Sequence, residues 1–171
     1  MGRDPLFISM KKKGWVILPL IFIAFLLGSF IHVLTLEIRN RENGEILFDE
    51  RVAPGDMVTY GYIHSVEKIP VEGIFVIEED GFLKLMETRF SSYGAGLPSG
   101  QGEEIRKDGW IVVKGGERRA SFTFLFSPIN QPYIIFKENR LSVGSKLREG
   151  ALLEIRVTRQ SYALALWRGL F

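Results

Sequence analysis

The chain has 171 residues, with 22 Lys and Arg against 20 Asp and Glu, a formal net charge of +2, and no cysteine. That length suits one ordinary domain plus an appendage, and the lack of cysteine excludes disulfides and Cys-ligated zinc. Arg3, Lys11, Lys12 and Lys13 against Asp4 give residues 1–36 a net +3, so the remainder is slightly acidic; its cations alternate with acids, which sets a nucleic-acid-binding face aside.

The first expected element is a membrane span. After a basic segment, residues 1–13, comes "GWVILPLIFIAFLLGSFIHVLTL", and from Trp15 to Leu36 this run carries no acid and no full-time base. Fifteen of its 22 residues are Leu, Ile, Phe or Val. At about 0.3 to 0.6 kcal/mol each, these give roughly 5 to 9 kcal/mol toward insertion. Pro19 lies near the start of the run, where a lost hydrogen bond costs least. A cleaved signal peptide would need a shorter apolar core and a small-x-small cleavage site, and Ala24 is the run's single alanine. The reading is an uncleaved anchor over residues 14–36, with the lysine cluster cytoplasmic and residues 37–171 outside the membrane. His32 then lies near the outer end of the span as an interfacial histidine.

The exterior part reads as β. "LTLEIRN" and "EILFDERV" flank "RENG", and an Asn-Gly pair between two such runs signals a hairpin. Further runs follow at "MVTYGYIH", "PVEGIFVIEE", "FLKLMETRFSSY", "WIVVK", "ASFTFLF", "YIIFK" and "ALLEIRVTR". Between them lie Gly, Pro and Asp turn chemistry such as "APGD", "EEDG" and "REG". In the last run Ala151, Leu153, Ile155 and Val157 share one face, and Glu154, Arg156 and Thr158 the other. No segment outside the anchor sustains a 3.6-residue period. The expected fold is an all-β exterior domain, sandwich or barrel-like and mainly antiparallel, preceded by one transmembrane helix.

Two stretches carry candidate chemistry. In "YIHSVEKIPVEGIF" a histidine stands beside a serine, with two carboxylates close by. Neighbours on a strand point to opposite faces, so His64 is poorly placed to activate Ser65, and the other histidine is His32. His64, Glu67 and Glu72 are possible metal ligand types at a spacing that forms no signature. A plain reading has Ser65 and Glu67 capping a turn. Against it, Glu72 shares a strand face with Ile74 and Val76, opposite Val71, Phe75 and Ile77, so a carboxylate there needs a partner. The second stretch, "SSYGAGLPSGQGEE", holds Gly94, Gly96, Gly100 and Gly102. Its backbone N–H groups could converge on an anion, although it matches no phosphate fingerprint.

Together, "HSVE", the "PVE" after it and "GAGLP" resemble a bacterial and archaeal family, the domain of unknown function eighteen-fifty, over roughly residues 37–160. Members are short membrane-anchored proteins typically encoded beside tripartite ATP-independent periplasmic (TRAP) transporters of the TAXI type. Gly73 stands in "VEGIF" where another carboxylate would be expected. The resemblance implies a partnership with solute uptake, with a TRAP permease and a TAXI-type solute-binding protein as partners and a small organic acid as a possible ligand. It assigns no catalytic residue, no metal and no cofactor. The expected ligand-binding set is His64, Ser65, Glu67, Glu72, Gly94, Ala95, Gly96, Leu97 and Pro98, meeting as one polar site. From other classes, a metal-dependent or serine-type hydrolase outside the membrane and a purely structural assembly factor remain open.

Overall fold

A computed structural model describes residues 6–94, 96–97, 103–144 and 147–169. In chain order the elements are α1 (Leu6–Phe30), β1 (His32–Asn40), β2 (Ile46–Val52), β3 (Met57–Ile63), β4 (Pro70–Ile77), β5 (Leu83–Phe90), β6 (Glu104–Lys107), β7 (Trp110–Lys114) and β8 (Arg118–Arg119). Then follow β9 (Ser121–Leu125), a 3₁₀ turn (Pro128–Asn130), β10 (Tyr133–Phe136), β11 (Asn139–Ser142), β12 (Leu152–Ser161) and α2 (Tyr162–Gly169). The chain divides into two compact units, Leu34–Thr158 and a smaller one formed by Met1–Val33 with Arg159–Phe171.

The larger unit is all-β and mainly antiparallel, as the alternation of its runs requires. One sheet has the order β2-β1-β12-β9. The other runs β11-β10-β3-β4-β5-β7-β6, with β8 pairing β5 off that path. Period-two patterning gives each sheet one apolar face, and the two faces share a core. Leu36, Ile38, Leu153 and Ile155 of the first sheet are buried with Val58, Phe75, Ile134 and Phe136 of the second. Between them the rings of Tyr60 and Phe124 stack at 3.8 Å between centroids. A smaller apolar cluster lies in the second sheet, where Val71, Phe90, Ile111 and Val113 pack with Tyr62, Ile69 and Leu97.

The other face of the four-stranded sheet carries paired charges. The tetrapeptide Leu-Glu-Ile-Arg occurs at residues 36–39 in β1 and again at 153–156 in β12. Arg39 donates to Glu154 at 2.6 Å, and Arg156 reaches Glu37 through two nitrogens at 2.9 and 2.7 Å. The repeat is its own complement when the strands run head to tail, since each Glu meets the other copy's Arg. Glu37 and Glu154 are buried, so these pairs exclude water far better than ordinary surface ion pairs.

Several expectations need correction. The run read as one span to Leu36 is divided: α1 stops at Phe30, and Leu34 and Leu36 belong to the β core. Hydropathy alone does not separate a lipid-facing leucine from one facing a sheet, but the Leu34, Leu36, Ile38 alternation does. His32 accordingly opens β1, and its ring Nδ1 lies 3.2 Å from Phe30 O. Among the described residues no helix is long and apolar enough to cross a membrane. The apolar stretch inside α1, Trp15–Phe30, is 16 residues, about 24 Å at the helical rise, against a hydrocarbon core of about 30 Å. The short helix α2 and strands β6, β8 and β11 were absent from the sequence reading, since two to eight residues are too few to display a period.

Burial raises the Glu154 carboxyl, but hydrogen bonds from Arg39 and Ser121 and the charges of Arg39 and Arg156 outweigh it, leaving the group below its ordinary value. A pKa lower in the folded than in the unfolded chain stabilises the fold above the usual carboxylate range of about 4.3. That increment is lost as pH falls through the folded value. Urea unfolding between neutral and acid pH should therefore show Glu154→Gln with a flatter acid limb than the wild type; equal limbs would remove Glu154 from the acid response.

Candidate functional site

β3 and β4 are consecutive antiparallel strands, and the HSVE segment is the hairpin loop that joins them. His64 N–H donates to Ile69 O at 2.8 Å and Lys68 N–H to His64 O at 2.9 Å, closing the loop. Lys68 takes a left-handed conformation, φ 56°, to let the chain return. The Glu67 N–H donates to His64 Nδ1 at 3.2 Å. This bond makes Nδ1 an acceptor, so the neutral ring carries its proton on Nε2. The loop is therefore braced by the histidine, and not by caps from Ser65 and Glu67 as in the plain alternative reading. Ser65 and Glu67 are exposed at its tip.

The glycine-rich segment follows β5 and returns to this same hairpin. A Cβ on Gly94 would fall 2.4 Å from Glu67 Cγ, so only a residue without a side chain lets Glu67 lie against the backbone there. Leu97 N–H donates to Gly94 O at 3.2 Å, and Gly96 has φ +81° with open space around it. Leu97 points into the small apolar cluster that Ile69, at the other end of the HSVE loop, also joins. The two motifs thus meet twice, through Glu67 against Gly94 and through Ile69 and Leu97 on one cluster. Ala95 and Pro98 lie outside the described residues.

Glu72 belongs to a different group. In the sheet it stands opposite Gly61 of β3, and Gly61 stands opposite Tyr133 of β10. The Tyr133 hydroxyl donates to Glu72 Oε1 at 2.7 Å, spanning the intervening strand. It does so across Gly61: a Cβ there would lie 2.2 Å from Tyr133 Cζ. The guanidinium of Arg140 lies over the same ring, 3.7 Å from its centroid. Burial pushes the Tyr133 phenol up, the hydrogen bond and charge of Glu72 push it further, and Arg140 works against both; it stands at about 12. On the far side Glu72 faces Arg89 of β5 in register. Arg89 in turn donates to Glu87, with its Nε at 2.7 Å.

The sequence reading expected Glu72 to need a partner because its strand is apolar on both faces; in the structure the Glu72, Ile74 and Val76 face is half-buried, and the partner is Tyr133. The missed signal was Gly61, an isolated glycine inside "TYGYI", which in a strand marks close approach by another group. A cleft of about 320 Å³ opens beside the stack, lined by Phe126, Pro128, Gln131, Pro132, Tyr133, Arg140, Ser142 and Gly144. A carboxylate is the chemistry that Arg140 and Ser142 could hold there. Among the described residues no group of three or more His, Asp or Glu is arranged to hold a metal ion.

The geometry defines a class: a small two-sheet antiparallel domain in which a histidine-braced hairpin loop meets a glycine-rich loop. The chain matches the family model described as Domain of unknown function (DUF1850) over residues 58–143, half of its length, and belongs to that family. The matched segment runs from β3 to just past β11 and contains both loops and the Gly61, Glu72 and Tyr133 row. No curated protein and no solved structure matches the chain.

Replacing Gly61 with Ala should cost on the order of 1 to 3 kcal/mol, as overpacking does, because the new methyl displaces Tyr133 from Glu72. In a Tyr133→Leu background the same change should cost much less, since the ring it strikes is gone. Equal costs in the two backgrounds, measured by denaturant unfolding, would show that the glycine serves something other than this bridge.

Proposed function

We propose that the protein is a membrane-anchored β-sandwich-like accessory or binding module of a TRAP-type solute uptake system, with its β domain outside the membrane. The single observation that supports a binding role is the contact of Glu67 with Gly94. Glu67 is an exposed carboxylate, and nothing in a structural account of the hairpin calls for a bare backbone against it. An exposed side chain held against a side-chain-free backbone suits a surface that another molecule reads. The ligand or partner chemistry comes from the polar groups of the two loops: backbone N–H groups for an anion, with His64 and Glu67 beside them to orient it.

The anchor is α1. Its consecutive residues Leu20, Ile21, Phe22 and Ile23 point in four directions about 100° apart, and all are exposed. A helix apolar on all sides suits lipid better than water. Its shortfall against the bilayer thickness is of a size that local thinning of the bilayer accommodates. The lysine cluster sets the N-terminus in the cytoplasm. A hydrolase reading is less favoured, because the turn already uses His64 Nδ1 as an acceptor.

The test is thermal-shift and co-purification work on the full chain in nanodiscs. Small organic acids are screened for binding, and a co-expressed TRAP permease and TAXI-type solute-binding protein for association. Gly94→Ala should change stability little, because the exposed Glu67 can swing aside, but should weaken binding or association at least several-fold. Loss in Arg140→Ala with Gly94→Ala unaffected would move the site to the cleft beside Tyr133. Neither ligand nor partner binding in the wild type would defeat the uptake reading. Covalent labelling of Ser65 by a fluorophosphonate would favour the hydrolase instead.

A further inference from the structure

We propose that α2 is a second lipid-seated element, lying in the outer interfacial layer of the bilayer beside the last turn of α1; this rests on the reading of α1 as the anchor. The two helices belong to one unit and are joined at a defined point. Tyr162 N–H donates to Ile31 O at 2.7 Å, and a Cβ on Gly28 would lie 3.7 Å from that of Ala163. The junction is at the end of the apolar run remote from Lys11–Lys13, which is the end the positive-inside rule assigns to the outer leaflet.

The surface of α2 identifies what covers it. Ser161 caps its start, accepting from Leu164 N–H at 3.3 Å, and Ala163 is its buried residue. Leu164, Leu166 and Trp167 are 41%, 52% and 60% exposed. An eight-residue helix does not persist alone in water, and one that shows three large apolar side chains has a further reason not to. Its neighbour α1 likewise exposes Leu26, Leu27 and Phe30 around Gly28, so the apolar surface of α2 continues that of α1. A protein groove would cover one stripe; lipid covers the exposed apolar side chains of both helices at once. The polar groups of α2 suit the interface. Tyr162 and Trp167 have the amphipathic rings that collect at the headgroup level, and Arg168 Nη1 donates to Gln160 Oε1 at 3.2 Å instead of standing unpaired in an apolar layer.

Because the natural chain has no cysteine, single-site labelling is clean. Three full-length variants, Leu166→Cys in α2, Leu18→Cys in α1 and Met57→Cys at an exposed position of β3, are labelled with an environment-sensitive NBD dye. They are reconstituted into vesicles of phosphatidylcholine and phosphatidylglycerol with or without acyl-chain-brominated phosphatidylcholine. The expected result is blue-shifted emission and bromine quenching at 166 and 18, with quenching at 166 stronger for bromines near the headgroup than near the chain end. The label at 57 should stay in water and be quenched by iodide several-fold more steeply. If 166 behaves like 57 while 18 is quenched by bromine, the proposal is overturned and the anchor stands; that is also the outcome if α2 docks on another protein. If 166 and 18 both behave like 57, the anchor reading fails and the proposal with it.

Discussion

A half-buried carboxylate in the middle of a strand is stabilised by a hydrogen-bond partner, because desolvation without one is costly. Glu72 meets that demand in the structure by reaching past its neighbour strand. Its partner Tyr133 is two strands away, so the bond exists only if the residue between them has no side chain. Gly61 is thus fixed by its neighbours' chemistry, and so is the order β10-β3-β4 that brings the three into one row. Arg140 then closes the far side of the tyrosine ring. The hairpin loop that carries His64 and Glu67 emerges from the same two strands, β3 and β4, so its position is anchored by the row that Glu72 organises.

Much of the fold was legible because alternation is a two-residue signal and the strands are long enough to show it. The Leu153, Ile155 face and the Asn-Gly hairpin appear where their patterns put them, with Gly44 N–H donating to Asn40 O at 2.9 Å. The errors arose where a one-dimensional property has two physical explanations. Leu34 and Leu36 are apolar whether they face lipid or a second sheet, and the sequence reading assigned them to lipid. In the candidate site, proximity was legible from strand counting, since HSVE and the glycine loop meet at one end of the sheet. The grouping was not. Parity on β3 puts Gly61 and His64 on opposite sides, so Glu72, which is in register with Gly61, faces away from the side to which His64 belongs. Tyr133 was invisible for a simpler reason: it lies 61 residues downstream of Glu72, and no local pattern encodes that pairing.

Two glycines permit contacts of opposite kinds. At Gly61 the group that comes close is a buried ring held by a hydrogen bond and a stacked cation, so a methyl there has nowhere to go. At Gly94 the group is an exposed carboxylate side chain that can move away. A purely structural requirement explains the first. At the second, the neighbour is an exposed side chain rather than a buried ring, so the contact places no comparable demand on the core.

The family match, residues 58–143, leaves out β1, β2 and β12, three of the four strands of the smaller sheet. Without them the apolar face of the large sheet, with Val58, Phe75 and Phe136, would have only β9 to cover it. The missing cover comes from the two chain segments that lead directly from α1 and into α2, and their repeated Leu-Glu-Ile-Arg sequence fixes the pairing. A one-residue slip between β1 and β12 would expose Leu36 and Ile38 while separating both Arg-Glu pairs, so apolar burial and charge pairing reject the same error. The domain's core is therefore completed by the same two strands that connect it to its helices. A mutation that loosens the Leu-Glu-Ile-Arg pairing would weaken the β domain at the place where the chain enters and leaves it.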